Sequence, residues 1–147
     1  MSTDDERRMH TAEHVLNQVM VRLLGTGRAF STHINARKSK CDYRFLRPLS
    51  EEEARAVEMA VGEVLALGLP VTEAYLPRKV AEEQFDLFRL PETASDPLRI
   101  VRVGGYDACP CIGEHVANTS EIGTFRLTTH SYADGVLRLR FKLAALA

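Results

Sequence analysis

The stretch MHTAEHVLNQVM, residues 9–20, determines how the first helix must face the rest of the protein. A capping-box pattern at Thr3–Glu6 precedes it and apolar residues follow at a helical period, so we predict a long helix from about residue 4 to residue 24. His10 and His14 stand four residues apart, which places both imidazoles on one face of that helix. Two imidazoles at this spacing suit a metal ion, whose remaining ligands must come from elsewhere in the chain.

The composition is that of an ordinary globular protein. The chain has 147 residues, of which 45% are hydrophobic and 27% are charged, and this is the usual size of one domain with its own core. We therefore predict a single domain over residues 1–147. No apolar run approaches the roughly 18 residues of a membrane span, and the charged N-terminus lacks the apolar segment of a secretory signal. We expect a cytoplasmic protein that has no membrane partner.

Beyond the first helix, helices and strands follow one another without a regular β-α-β order. A second long helix begins at the capping box Ser50–Glu53 and ends at Gly68, and a short helix is predicted over 78–85. The predicted strands cover residues 29–35, 41–46, 71–76, 98–103, 124–131 and 136–143. Residues 104–123 are predicted as a loop, and 133–135 as a hairpin turn. This order predicts the α+β class, with one antiparallel or mixed sheet packed against two long helices.

A cysteine and a third histidine lie about a hundred residues beyond the first pair. Cys111 and His115 flank Gly113, whose conformational freedom lets a five-residue loop turn so that both side chains face one point. Three imidazoles and one thiolate form the nitrogen and sulfur donor set that zinc prefers. Each half of the pattern is weak alone, but their joint occurrence predicts a zinc site formed by His10, His14, Cys111 and His115.

The cysteines do not form the pattern of a disulfide framework. There are three of them, Cys41, Cys109 and Cys111, and we expect reduced thiols. Cys109 allows three interpretations: a packed core residue, an alternative metal ligand, or one half of a redox pair with Cys111. The sequence does not choose between them, although C-x-x-C rather than C-x-C is the usual redox spacing.

The two metal motifs read HTAEHVL at residues 10–16 and CIGEHVANTSEIG at residues 111–123. Together, and in this order, they resemble the editing domains of alanyl- and threonyl-tRNA synthetases, and among these the short free-standing alanyl-tRNA editing proteins of the AlaX type. Ser31-Thr32 and the strand Asp42–Phe45 support the resemblance. The synthetase version of the loop usually reads C-G-G-T-H, whereas Glu114 stands here in place of that threonine.

The resemblance implies the editing-domain fold and hydrolysis of a misacylated tRNA. The expected substrate is tRNA(Ala) esterified with serine, or with glycine, and the expected enzyme is a zinc-dependent, ATP-independent aminoacyl-tRNA deacylase. Zinc can polarise the ester carbonyl and activate a water, but four protein ligands would close a tetrahedral site. Two alternatives remain open: one ligand, foremost His115, is loosely held, or zinc becomes five-coordinate when the substrate binds.

Further residues are expected to act around the metal. By the resemblance, Thr32 faces the zinc site and can hydrogen-bond the hydroxyl that distinguishes serine from alanine. Gly123 is expected to let its loop approach the substrate, Glu114 to orient or deprotonate water, and Asp107 to hydrogen-bond a metal ligand. Each has a plainer alternative, respectively an ordinary strand threonine, a turn glycine, a solvated carboxylate and a turn-forming aspartate.

The charge balance limits how much nucleic acid the protein can hold. Its net charge is −1 and its pI is about 6.5, so a long nucleic acid is not an expected partner. The acceptor end of tRNA needs few cations. Arg37, Lys38 and Lys40, in a turn after the Ser-Thr strand, are the expected phosphate contacts, with a solvated basic face as the alternative. No obligate protein partner is indicated.

Three other functions remain open. The scaffold could hydrolyse another aminoacyl or acyl ester, or zinc could hold together a non-catalytic RNA-binding module, or Cys109 and Cys111 could form a redox sensor. A purely structural zinc predicts a protein that unfolds when its ligands are substituted and that hydrolyses nothing. Hydrolysis assays on folded variants therefore separate the enzyme from the binding module.

Overall fold

Helix α1, Asp4–Leu24, begins and ends where the sequence pattern predicts. In the computed structural model, which describes residues 2–87, 90 and 95–144, Thr3 and Glu6 exchange the two hydrogen bonds of a capping box. Gly25 ends the helix with a φ of +68°, a left-handed conformation that favours glycine. Most residues between Met9 and Met20 are buried, so α1 is the central helix of the fold.

Two further helices follow. Helix α2 is Glu51–Ala66, and Ser50 and Glu53 form its capping box as predicted. It packs along α1 through the apolar side that the valine and leucine spacing indicated. Helix α3, Arg78–Gln84, is short and begins after Pro77, a residue whose fixed φ suits the start of a helix.

The strands form two antiparallel sheets. In the described residues they are β1 Ser31–His33, β2 Ser39–Arg44, β3 Val71–Leu76, β4 Leu98–Val103, β5 Asp107–Pro110, β6 Phe125–Ala133 and β7 Val136–Leu143. The larger sheet has the order β1-β2-β7-β6 and the smaller sheet the order β3-β4-β5. Asp134 and Gly135, with φ of 50° and 79°, form the tight turn predicted between β6 and β7.

Strand β5 lies inside the segment 104–123, which the sequence predicted as a loop. Its residues pair with β4, from Val103 opposite Asp107 to Ile100 opposite Pro110. The strand is short and ends in proline, which fits an edge strand only, so its sequence lacks a clear alternating pattern. The hydrogen-bonding partner, rather than local propensity, makes this segment extended.

The α+β class is confirmed. Within the described residues the strands form two sheets where one was predicted, and the short helix predicted over 78–85 is present as α3 beside the two long helices. The core lies between α1, α2 and the larger sheet, and its largest fully buried side chains include Tyr43 and Phe141. The smaller sheet and the segment after β5 come against the N-terminal half of α1. Among the described residues, no helix is both long enough and apolar enough to cross a membrane.

Candidate metal centre

One stripe of α1 carries polar side chains into the interior of the protein. His10, Glu13, His14 and Asn17 recur at the three- and four-residue spacing of a helix, so they project from the same face. Glu13, His14 and Asn17 are only 3%, 2% and 1% exposed. Buried polar groups require partners, and this stripe meets them in segments that follow much later in the chain.

Cys111 and His115 reach the stripe from the segment that follows β5. The Sγ of Cys111 lies 3.5 Å from His10 Nε2 and 3.5 Å from His115 Nε2. Together with a ring nitrogen of His14, these donor atoms all lie within 4.8 Å of one another. The structure therefore brings together the four side chains that the sequence predicts as metal ligands.

The separations fit a tetrahedral zinc ion. Zinc–nitrogen bonds of about 2.0–2.1 Å and a zinc–sulfur bond of about 2.3 Å, at a tetrahedral angle, place nitrogen and sulfur ~3.5 Å apart. The two sulfur–nitrogen distances of 3.5 Å match this value. Three imidazoles and one thiolate are also the donors that zinc prefers over the oxygen ligands of calcium or magnesium. By geometry and by chemistry, the residues fit the ion.

Gly113 allows the loop to lie directly on the ring of His10. A Cβ built at this position would lie 2.2 Å from His10 Cε1 and 2.6 Å from His10 Nδ1. Contacts that short do not occur, so any other residue would displace the ring or the loop. The sequence predicted glycine here for a tight turn, but the structure gives close approach as the reason.

Thr11 orients the ring of His115. Its Oγ1 lies 2.9 Å from His115 Nδ1, donates to the Arg7 carbonyl at 3.0 Å and accepts from the Val116 N–H at 3.2 Å. If the hydroxyl proton goes to Arg7, the oxygen accepts from His115 Nδ1. In that tautomer the lone pair of His115 is on Nε2, which faces Cys111.

The environment also keeps His115 neutral. Burial, the neighbouring His10 and the guanidinium of Arg99 lower the pKa of His115 from 6.5 to about 3. Only a neutral imidazole can offer a lone pair to a metal. Arg99 has a second role, because its Nη1 donates to the carbonyls of Gly113 and Cys111, the latter at 3.2 Å. It thereby fastens the ligand loop to β4.

Asp107 and Cys109, both in β5, contact the other side of His14. His14 Nδ1 lies 3.3 Å from Cys109 Sγ and 3.7 Å from Asp107 Oδ2, so the cysteine is the nearer partner. Asp107 Oδ1 accepts from Arg28 at 2.6 Å and from Gln18 at 3.0 Å. Arg28 also lies 3.4 Å from Cys109 Sγ, and burial raises the pKa of the Cys109 thiol.

This second cluster already contains a cation. His14, Asp107 and Cys109 lie close enough together to hold a metal ion. However, the Arg28 guanidinium contacts both the carboxylate and the sulfur, and it would repel a metal cation at that position. We therefore interpret the cluster as a support for the ring of His14.

Three members of the donor cluster, His10, His14 and Cys111, line a cavity of about 890 Å³. The stripe of α1 forms one wall, segments 26–30 and 109–113 form two others, and Arg44, Asp86 and Leu90 complete the described lining. The guanidinium of Arg44 lies 4.0 Å from the ring centroid of Phe30. A small ligand bound here would touch both the donor cluster and this stacked pair.

The other predicted substrate residues lie outside the described lining of the cavity. Thr32 is opposite Cys41 in the β1–β2 register and so points to the same face of the sheet, the face that carries the core. Gly123, with a φ of 90°, lies between the 3₁₀ turn at 119–121 and β6. Glu114 Oε1 accepts a 2.6 Å hydrogen bond from the backbone N–H of Ser2, which lowers the pKa of the carboxyl.

The three predicted phosphate contacts lie in the β1–β2 connection and at the start of β2. Arg37 and Lys38 are exposed, and the Arg37 N–H donates to Asn35 Oδ1 at 3.0 Å within the turn. Lys40 Nζ lies 3.8 Å from Asp42 Oδ2. Two of these cations therefore face solvent, while the third shares its charge with a carboxylate of the sheet.

Several residues of the site were not predicted from the sequence. Glu13 and Asn17 share the helical stripe of His10 and His14, so the three- and four-residue spacing could have identified them. No local signal marks Arg28 or Arg99, because each acts on residues far away in the chain. Thr11 lies within the first motif, but its role depends on a histidine 104 residues later.

Comparison with known proteins associates the chain with tRNA synthetases. Residues 98–140 match the family described as the threonyl and alanyl tRNA synthetase second additional domain. The chain is 35% identical over 142 residues to the alanine–tRNA ligase of Methanococcus vannielii, covering 91% of the chain and 16% of the ligase. It is 33% identical over 138 residues to that of Korarchaeum cryptofilum, covering 91% of the chain and 15% of the ligase. The chain thus spans about one sixth of the length of these relatives.

Proposed function

This chain belongs to the family of the threonyl and alanyl tRNA synthetase second additional domain, and we propose on that basis that it hydrolyses the ester of a misacylated tRNA. The proposed substrate is tRNA(Ala) that carries serine, or glycine, in place of alanine. One observation carries the proposal: His10, His14, Cys111 and His115 converge in one cluster, and the first three of them line a cavity wide enough for an aminoacyl ribose. Ligand cavities of ~300–1,000 Å³ are the usual size for such groups.

Ester hydrolysis needs an activated water and a stabilised oxyanion. Zinc, when bound to the cluster, supplies a Lewis acid for the ester carbonyl and for the water. The chain supplies the geometry, because Thr11 lies 2.9 Å from Nδ1 of His115, and Arg99 holds the loop that carries Cys111. Donors held in this way need no reorganisation when the substrate binds.

The roles of the further site residues remain proposals, and Thr32, Gly123 and Glu114 lie outside the described lining of the cavity. Thr32 would hydrogen-bond the serine hydroxyl, and a site that pairs with a hydroxyl discriminates better than an apolar pocket does. Gly123 would permit close approach of its loop, and Glu114 would orient water, although its present partner is the Ser2 N–H. Asp107 would support His14 through β5.

We propose that the tRNA end enters the cavity past the stacked pair of Arg44 and Phe30. The Arg44–Phe30 pair offers a flat, cationic surface, and nucleic-acid bases stack on such surfaces with little dependence on sequence. Arg37 and Lys38 would contact backbone phosphates, each adding affinity and salt dependence. This arrangement needs only the acceptor end, in agreement with a net charge of −1.

The proposal is tested by combining metal analysis with deacylation assays. Purified protein is expected to contain one zinc ion and to hydrolyse Ser-tRNA(Ala) faster than Ala-tRNA(Ala). A Cys111→Ala variant is expected to lose ~100-fold or more in rate, since Lewis-acid stabilisation amounts to several kcal/mol. His130→Ala serves as the control, because this histidine lies in β6 and contacts Glu51 rather than the cluster.

Other results would redirect the proposal. Cleavage of small esters without cleavage of any aminoacyl-tRNA would exclude tRNA editing and favour another ester hydrolase. Full activity in metal-free protein would exclude zinc chemistry. A Cys111→Ala variant that unfolds, together with an intact protein that hydrolyses nothing, would identify the zinc as purely structural. Circular dichroism of each variant distinguishes loss of fold from loss of chemistry.

A further inference from the structure

We propose that Glu13 binds the α-ammonium group of the aminoacyl ester, an inference that rests on the proposed function. An aminoacyl ester carries a positive charge one carbon away from its carbonyl, because its α-amino group is largely protonated near neutral pH. A site for such an ester therefore gains from a carboxylate beside the reacting carbonyl. Glu13 is the carboxylate that α1 places there.

Glu13 lies between two of the proposed metal ligands. It is three residues after His10 and directly before His14, and all three line the cavity. Residues three apart on a helix have Cβ atoms roughly 5–6 Å from each other, so Glu13 and His10 are neighbours along the same wall. A ligand held at the donor cluster therefore lies beside the helical turn that carries Glu13.

The dimensions of an aminoacyl ester match this spacing. Its α-nitrogen lies about 2.5 Å from the carbonyl carbon, given N–Cα and Cα–C bonds of ~1.5 Å. A charge-assisted hydrogen bond adds about 2.8 Å between nitrogen and carboxylate oxygen. The carbonyl can therefore lie at the donor cluster while the ammonium group contacts Glu13.

A hydrogen-bond chain fixes the direction of the carboxylate. Asn17 Nδ2 donates to Glu13 Oε2 at 2.7 Å, and Asn17 Oδ1 accepts from the Ala29 N–H at 2.8 Å. Since a backbone N–H can only donate, the amide of Asn17 has a single possible orientation. The segment after α1 thus holds Asn17, and Asn17 holds Glu13.

The inference is tested with two esters that differ only at the α-position. Ser-tRNA(Ala) is compared with its α-hydroxy analogue, in which a neutral hydroxyl replaces the ammonium group at nearly the same size. The intact zinc-loaded protein is expected to prefer the amino ester by ~10- to 100-fold in kcat/KM, the range for a charge-assisted hydrogen bond. Glu13→Gln is expected to lower kcat/KM for the amino ester only, and so to bring the two values together.

A binding measurement separates this inference from the proposed hydrolysis. Stable amide analogues, 3′-deoxy-3′-(serylamino)adenosine and its α-hydroxy counterpart, are titrated into wild type and Glu13→Gln by calorimetry. A preference for the ammonium analogue that Glu13→Gln abolishes supports the inference, even if wild type hydrolyses no ester and the proposed function fails. Equal affinity of wild type for both analogues overturns the inference, whatever the hydrolytic activity.

Two further variants test whether the effect of Glu13→Gln comes from a loss of structure. Glu13→Asp keeps the charge on a shorter side chain and is expected to retain part of the preference. Glu52→Gln removes an exposed carboxylate from α2 and is expected to leave kcat/KM unchanged for both esters. If Glu13→Gln lowers kcat/KM for both esters by the same factor, Glu13 acts on the chemistry or on the fold, and ammonium recognition is excluded.

Discussion

Each imidazole of the donor cluster has two nitrogens, and the residues around the rings decide which nitrogen faces the cluster. Thr11 contacts Nδ1 of His115, and Cys109 lies nearest to Nδ1 of His14. Nε2 of His115 lies 3.5 Å from Cys111 Sγ, on the side of the donor cluster. Partners of this kind orient a ligand and raise its affinity for the metal, so Thr11 is expected to matter although it touches no metal.

Thr11→Val tests the role of this hydroxyl at nearly constant volume. Loss of the acceptor frees the His115 ring to change tautomer, so zinc affinity is expected to fall by ~10- to 100-fold. Thr11→Ser keeps the hydroxyl and is expected to bind zinc as wild type does. Competition with a chromophoric chelator measures both values, and equal affinity in wild type and Thr11→Val would contradict this role.

Thr11→Val should also lower stability without zinc. The N–H of Val116 would lose its acceptor, and an unsatisfied buried donor costs about 1–3 kcal/mol. Zinc titrations are therefore made at a temperature at which the variant is folded.

At the scale of elements, one ion pair joins the two central strands of the larger sheet. Asp42 in β2 faces Arg138 in β7, with contacts of 2.8 Å and 3.0 Å. This bond with Arg138 is the main reason that the pKa of Asp42 lies below its ordinary value of 3.8. Asp42 follows Cys41, and Cys41 is the residue that lies opposite Thr32 in β1. The ion pair therefore also stabilises the strands that carry the proposed serine contact.

The lowered pKa of Asp42 predicts an acid-dependent contribution to stability. Because the folded pKa lies below the unfolded value, the contribution is complete above pH 3.8 and is lost as the pH falls through the folded pKa. Asp42→Asn is expected to reduce stability at neutral pH and to flatten the decline of stability below pH 3.8. Urea unfolding between neutral and acidic pH measures this, and parallel curves for wild type and variant would refute it.

The elements themselves were largely predictable, and the exceptions have physical causes. The bounds of α1, β3 and β4 agree with the predictions because capping boxes, glycines and β-branched runs act within a few residues. β5 was missed, since its extended form depends on β4, and nothing in 107–110 demands it. The division of the strands into two sheets likewise depends on partners chosen by packing.

At the scale of the whole molecule, the donor cluster joins parts of the chain that are far apart. His10 and His14 belong to the first helix, while Cys111 and His115 follow the smaller sheet. An ion bound by all four closes a loop of about a hundred residues. A ligand that binds only the folded state stabilises it by mass action. We therefore expect zinc binding at the cluster to raise the free energy of unfolding of the whole domain.

Removal of zinc is therefore expected to lower the melting temperature. Saturation at 100 to 1,000 times Kd contributes about 3–4 kcal/mol, which for a chain of this size corresponds to a shift of roughly 5–15 °C. A chelator should produce this shift in wild type and none in Cys111→Ala. Calorimetric scans with and without chelator measure it, and the same shift in both proteins would place the stabilising metal elsewhere.

The sequence by itself determined the helices with their caps, most of the strands, the α+β class and the two motifs that carry the donor residues. These features depend on periodicity and on contacts within a few residues, so they can be predicted from the sequence. Only the tertiary structure decided how the motifs meet. It placed Gly113 against His10, brought Thr11 to Nδ1 of His115, and oriented Glu13 through Asn17. Those arrangements depend on atoms that are a hundred residues apart in the chain or that share a wall only after folding, and no local pattern encodes such distances.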